Sequence, residues 1–113
     1  MNYAIVATES FNKEAKTLAK KYRSFPDDLE RLKKELLENP TMGVDLGNNI
    51  RKVRMAIASK NKGKSSGARV ITCNVLVNVE NTKIYLLDIY DKSEQDSISK
   101  SEIEHLKKIN GLV

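Results

Sequence analysis

Lys52 and Arg54 stand two residues apart in a run that alternates basic and apolar side chains, and Arg69 opens a second alternating run. Residues two apart on a β-strand share one face, so Lys52 and Arg54 point the same way, with Arg69 available from a neighbouring strand. Several cations on one face suit a phosphodiester, which arginine grips with two hydrogen bonds and lysine meets as a point charge. RNA can be cut without a metal when a ribose 2′-OH attacks the adjacent phosphate. Negative charge then builds on the phosphoryl oxygens and the departing 5′ oxygen, and fixed cations stabilise it by position alone. Lys52, Arg54 and Arg69 are the candidates for that work, although a basic face that binds phosphate without turnover would carry the same residues.

Tyr90 and Lys92 complete the candidate catalytic set. Lys92 could contact phosphate, while Tyr90 could stack on a base, donate a proton, or simply be a half-buried strand tyrosine. Asp91 or Glu94 would serve as a general base only with a raised pKa, and a solvent or helix-leading role is the simpler reading. His105, the single histidine, titrates in the useful range but lies in the final helix, with nothing in the sequence to bring it to the cations. Cys73 sits among Ile71, Val75 and Val77 and reads as a core thiol. One cysteine and one histidine cannot form a disulfide or a protein-only metal cage, so no metal and no cofactor are expected. Lys62-Gly63-Lys64-Ser65 has the look of a phosphate-loop end, but the upstream glycine and the strand-to-helix setting are missing.

The three cations belong to a wider basic segment. Between residues 50 and 72 lie Arg51, Lys52, Arg54, Lys60, Lys62, Lys64 and Arg69 without one acidic residue, in a chain whose net charge is only +5. Such a patch attracts a polyanion, which makes nucleic acid the leading partner class and assigns Arg51, Lys60, Lys62 and Lys64 as RNA contacts around the catalytic group. A solvated basic loop without a ligand is the alternative. The chain has 113 residues, 40 % hydrophobic and 31 % charged, which is the size and composition of a single domain over residues 1–113. No apolar run approaches the roughly 18–20 residues that cross a bilayer, and the start, Met1-Asn2-Tyr3-Ala4-Ile5-Val6, has no basic leader, so neither membrane nor export is expected and the reading is cytoplasmic.

The elements that must position these residues follow from hydrophobic period. Residues 3–8 form a short apolar strand, and Ser10 is a fair helix cap. Phe11, Ala15, Leu18 and Tyr22 then repeat at helical spacing to about Arg23. Ser24-Phe25-Pro26-Asp27-Asp28 restarts the pattern, with Phe25, Leu29, Leu32 and Leu36 on one stripe and Leu37 beside it, until Asn39-Pro40 ends it. Two amphipathic helices so closely joined make an antiparallel hairpin. Residues 42–49 read as a loop with Gly43 and Gly47 at positive φ. Strands are expected over 50–59, 68–80 and 83–91, the last central because it is nearly continuous in apolarity, with a basic loop at 60–67 and a turn at Asn81-Thr82. Ser99-Lys100-Ser101-Glu102 has capping-box form and opens a terminal helix carrying Ile103, Leu106 and Ile109. The expected fold is α+β, in the order β-α-α-β-β-β-α: an N-terminal strand, a helical hairpin packed on a small, mainly antiparallel sheet, and a C-terminal helix.

Several of these stretches in order, from Phe11–Tyr22 through Glu38-Asn39-Pro40, Gly43, Leu46-Gly47, Ile50-Arg51-Lys52-Val53-Arg54 and Gly67-Ala68-Arg69-Val70-Ile71 to Ile84–Lys92, resemble the RelE/ParE toxin superfamily. The likeness is closest to the RelE/HigB branch of bacterial type II toxin–antitoxin systems and covers almost the whole chain. It implies a RelE-like fold and a toxin that inhibits translation as a ribosome-dependent mRNA interferase, a hydrolase-class endoribonuclease that binds RNA. Its implied partners are a cognate antitoxin, the ribosome and mRNA, with operator DNA reached only through the antitoxin complex. Basic residues at Lys52, Arg54 and Arg69 agree with the family, whereas the arginine that relatives often carry near the end has no counterpart after Arg69. A ParE-like DNA gyrase poison and a catalytically silent RNA- or ribosome-binding module are the alternatives. The antitoxin segment that covers a basic face and the groove of the hairpin should be acidic and fold on binding.

Overall fold

The computed structural model describes residues 1–61, 63 and 66–112. Its elements are β1 (Asn2–Ala7), α1 (Glu9–Lys21), α2 (Phe25–Glu38), β2 (Val44–Gly47), β3 (Ile50–Met55), β4 (Ala68–Asn78), β5 (Asn81–Asp91) and α3 (Lys100–Ile109), with a 3-10 turn at Ala58–Lys60 after β3. The five strands form one sheet in the order β1-β5-β4-β3-β2. Only β1 and β5 run parallel; the other pairs are antiparallel. The chain is thus α+β, and β5 is an interior strand, paired on both sides as its apolar content predicts, while β4 occupies the centre.

Each face of the sheet buries its own core. On one side Phe11, Ala15 and Leu18 of α1 and Phe25, Leu32 and Leu36 of α2 pack on Val53, Met55, Val70, Ile84, Leu86 and Ile89. On the other, Ile103 of α3 packs on Ile50, Ile71, Cys73, Leu87 and Tyr90. Of the helical stripes read from the sequence, Phe11, Ala15, Leu18, Phe25, Leu32, Leu36 and Ile103 are buried and Tyr22, Leu29 and Leu106 half-buried, whereas Leu37 and Ile109 are exposed. Cys73 is a buried thiol whose pKa burial pushes up, consistent with an inert core residue.

Four local readings are corrected. The cap of α1 is Thr8, whose Oγ1 accepts from the amide of Phe11 at 3.2 Å; Ser10 instead donates to the Leu87 carbonyl at 2.7 Å and accepts from Asn110 Nδ2 at 2.8 Å, tying β5 to the end of α3. The segment read as a loop over 42–49 contains β2, because Gly43 and Gly47 do take positive φ but the residues between them find the open edge of β3. Asn48 and Asn49, at φ of 53° and 63°, close that hairpin as a two-residue turn of the kind asparagine favours. The strand over 50–59 stops at Met55. The β4–β5 turn falls at 79–80 rather than at Asn81-Thr82, since the side chain of Asn78 accepts from the Glu80 amide at 3.0 Å and sets the turn two residues earlier. By contrast, Ser99 caps α3 as its motif predicts, accepting from Glu102 N at 3.1 Å and donating to Glu102 Oε1 at 3.2 Å.

Two glycines make close approaches on which the site depends. A Cβ at Gly43 would lie 2.5 Å from the Lys52 carbonyl, and one at Gly67 only 2.1 Å from the Met55 carbonyl, so both chains abut β3 where only hydrogen fits.

Candidate functional site

The register places the candidate cations in rows. Arg54 of β3 lies opposite Arg69 of β4, and Arg69 lies opposite Tyr90 of β5. Directly opposed residues hold their Cβ atoms about 5 Å apart, so three chemically active side chains form one line across three strands. Lys52 lies opposite Ile71, one row further along on the same face. Two arginines directly opposed repel each other, which by itself weakens a sheet.

A β-bulge puts Tyr90 into this line. Alternation from Ile84 and Leu86, which face α1 and α2, would send Tyr90 to that same side. The register shifts between Ile71 and Thr72, where Asp88 pairs with Ile71 but Leu86 pairs with Thr72, leaving Leu87 as an extra residue. The phase inverts there: Ile89 and Asp91 turn to the α1 and α2 side, and Tyr90 turns to Arg69.

Within the row the environments differ. Arg54 is exposed and Lys52 half-buried, whereas Arg69 and Tyr90 are each only 6 % accessible. Arg69 Nη1 donates to the Ala68 carbonyl at 3.3 Å. The hydroxyl of Tyr90 has no hydrogen-bond partner among the described residues. Burial pushes its pKa up, against the opposing field of Arg69, so it is a protonated donor at neutral pH. A buried hydroxyl left unpaired beside a guanidinium costs stability unless a ligand completes it.

Lys92 follows β5 and donates from Nζ to the Asp96 carbonyl at 2.7 Å and to its carboxylate at 2.5 Å. The other candidates lie elsewhere. Arg51 points to the opposite face, as the period of two requires; it donates to the Thr41 carbonyl at 2.7 Å and pairs with Asp45 at 3.6 Å. Lys60 is tied to Asp91 at 2.5 Å and donates to the Ser66 carbonyl at 2.8 Å. Lys62 and Lys64 lie outside the described residues.

The carboxylates considered as bases are committed to other bonds. Asp91, 3 % exposed, accepts from Lys60, from the Tyr22 hydroxyl at 2.5 Å and from the Ser93 hydroxyl at 2.7 Å. Burial alone would raise its pKa, but the bonds from Lys60, Tyr22 and Ser93 outweigh it and hold the carboxyl well below the usual range. The raised pKa that base chemistry would need is thus reversed. Glu94 is bonded to Lys21. His105 lines a cavity of about 440 Å³ with Glu14, Asp88, Gln95 and Glu102, between α1, β5 and α3.

Two functional features escaped the sequence reading: Asp91 as the node that engages Lys60, and Asp96 as the partner of Lys92. The i, i+4 spacing of Lys92 and Asp96 was visible, but outside a helix it predicts no contact.

A family model for the RelE toxin of the RelE/RelB toxin–antitoxin system matches residues 4–113. The chain belongs to the RelE toxin family. It is the toxin of a toxin–antitoxin system, and its family implies a cognate antitoxin as partner. Among the described residues no helix is long and apolar enough to cross a membrane.

Proposed function

We propose that this toxin is a ribosome-dependent mRNA endoribonuclease of the RelE/HigB kind, cleaving without a metal through attack of a ribose 2′-OH on the neighbouring phosphate. The Arg54–Arg69–Tyr90 row supports the reading: the strand register lines up two guanidinium groups and a phenol that has no hydrogen-bond partner among the described residues. Arg54 and Arg69 neutralise the phosphoryl oxygens, whose charge grows as the 2′ oxygen bonds to phosphorus. Lys52 and Lys92 supply point charges beside them. The 2′-OH gives up its proton to solvent water as the 2′ oxygen bonds to phosphorus, Tyr90 donates its proton or a hydrogen bond to the 5′ oxygen as its bond to phosphorus breaks, and the products are a 2′,3′-cyclic phosphate and a 5′-hydroxyl.

Cytoplasmic mRNA on the ribosome is the substrate, and the antitoxin withholds this face until it is removed. Operator DNA is met only within the antitoxin complex. The experiment is expression of the full chain with mapping of new 5′ ends in cellular messages. Cuts in register with codons, lost in Arg54→Ala and Arg69→Ala along with growth arrest, are expected. Arrest with a DNA-damage response and no cuts would mark a gyrase poison instead. Ribosome binding without arrest or cuts would mark a silent binding module.

A further inference from the structure

Lys92 already holds a carboxylate of its own chain in a short bond. Its ammonium is fixed twice, by the Asp96 carbonyl at 2.7 Å and by the Asp96 carboxylate at 2.5 Å. The side chain of Asp96 is 94 % exposed while that of Lys92 is 30 % exposed, so the carboxylate stands on the solvent side, where an incoming phosphate must arrive. Asp96 also belongs electrically to the cation face. The bond from Lys92 holds its carboxyl below the usual range, the field of Lys52 adds to that, and its own charge reaches Tyr90.

We propose that Asp96 is a built-in competitor for RNA at Lys92, its carboxylate standing in for a backbone phosphate until RNA displaces it. This rests on the reading of the same face as an RNA site. Exposed ion pairs are weak and salt-screened, so a phosphodiester held at the same time by Arg54 and Arg69 can take the place of the carboxylate. The exchange has a signature in salt dependence. A phosphate that binds a free lysine sheds its condensed cation, and on single strands each such contact adds about 0.7 to the slope of log affinity against log salt. Where the phosphate evicts Asp96, the freed carboxylate recruits a cation in its turn, and the Lys92 contact is nearly silent in salt.

The test measures binding of a short, uncleavable 2′-O-methyl oligoribonucleotide to the full chain, freed of antitoxin, by fluorescence anisotropy across a salt series. Asp96→Asn should bind roughly two- to fivefold tighter at low salt, the equivalent of one exposed ion pair, and steepen the slope by about 0.7. In a Lys92→Gln background the same substitution should change neither quantity. Unchanged or weaker binding by Asp96→Asn, with Arg69→Ala still weakening it, would overturn the competitor role and leave the RNA site standing. Binding indifferent to both Arg54→Ala and Arg69→Ala would overturn the RNA site itself, and the competitor with it.

Discussion

Arg54, Arg69 and Tyr90 show how chemistry and stability pull against each other at single residues. Opposed guanidinium groups and an unpaired buried phenol both weaken a free sheet. Tyr90→Phe removes the unpaired hydroxyl and keeps the ring packed against Ile71 and Leu87, so it should raise stability by about 1 kcal/mol in urea unfolding while cleavage falls. A loss of stability on that substitution would show that the hydroxyl is paired in solution. Arg54 is exposed, and Arg54→Ala should leave stability within about 0.5 kcal/mol of the parent. At this scale Lys52, Arg54 and Arg69 were legible, because period two alone assigns their face. The separation of Lys60 from them was not, because its partner Asp91 lies 31 positions away.

Among the elements, the bulge at Leu87 and the node at Asp91 decide which side chains reach the site. The inverted phase of β5 sends Tyr90 to one face and Asp91 to the other, where Asp91 joins Tyr22 at the end of α1, Lys60 after β3 and Ser93 after β5. Removing one partner of a buried pair leaves the other charge desolvated, so Asp91→Asn should cost about 3 kcal/mol or more in chemical denaturation. A cost below about 1 kcal/mol would mean that Lys60 and Tyr22 do not depend on it. The helices, their stripes and the cap of α3 were readable from period and capping chemistry. The bulge was not, since Leu86-Leu87 looks like any buried strand and nothing local tells a reader that both leucines are buried on opposite faces. Edge strand β2 is hidden for a different reason: glycines flank its short run and suggest a loop, although Asn48-Asn49 at positive φ forms the hairpin turn that joins it to β3.

Across the whole molecule, charge is segregated. The basic segment supplies the Lys52 and Arg54 face, while the cavity between α1, β5 and α3 gathers Glu14, Asp88 and Glu102. Burial first, then the fields of Glu14 and Glu102, push the Asp88 carboxyl up to about 6, with the Ile89 amide opposing. A folded-state pKa above the ordinary 3.8 means that the native chain holds the proton more tightly than the unfolded one. Asp88 therefore favours folding fully below pH about 4, and that contribution fades as pH rises through 6. Asp88→Asn should raise stability at neutral pH by about 1 kcal/mol, a figure reduced for partial exposure, and the gain should vanish in acid. A gain of equal size at both pH values would place the effect in packing rather than in ionisation. The stretches between Phe11 and Lys92 that carry the family resemblance lie within residues 4–113, which the family model matches.

The most direct measurement uses purified full-length chain, a ribosome programmed with a defined message, and the same message carrying one 2′-deoxy nucleotide at the cleaved position, in the presence of a metal chelator that spares ribosome integrity. Cleavage of the all-ribose message to a 2′,3′-cyclic phosphate, abolished by the deoxy substitution and reduced about 100-fold or more in Arg69→Ala, is the expected result. Continued cutting of the deoxy message, or undiminished cutting by Arg69→Ala, would contradict it.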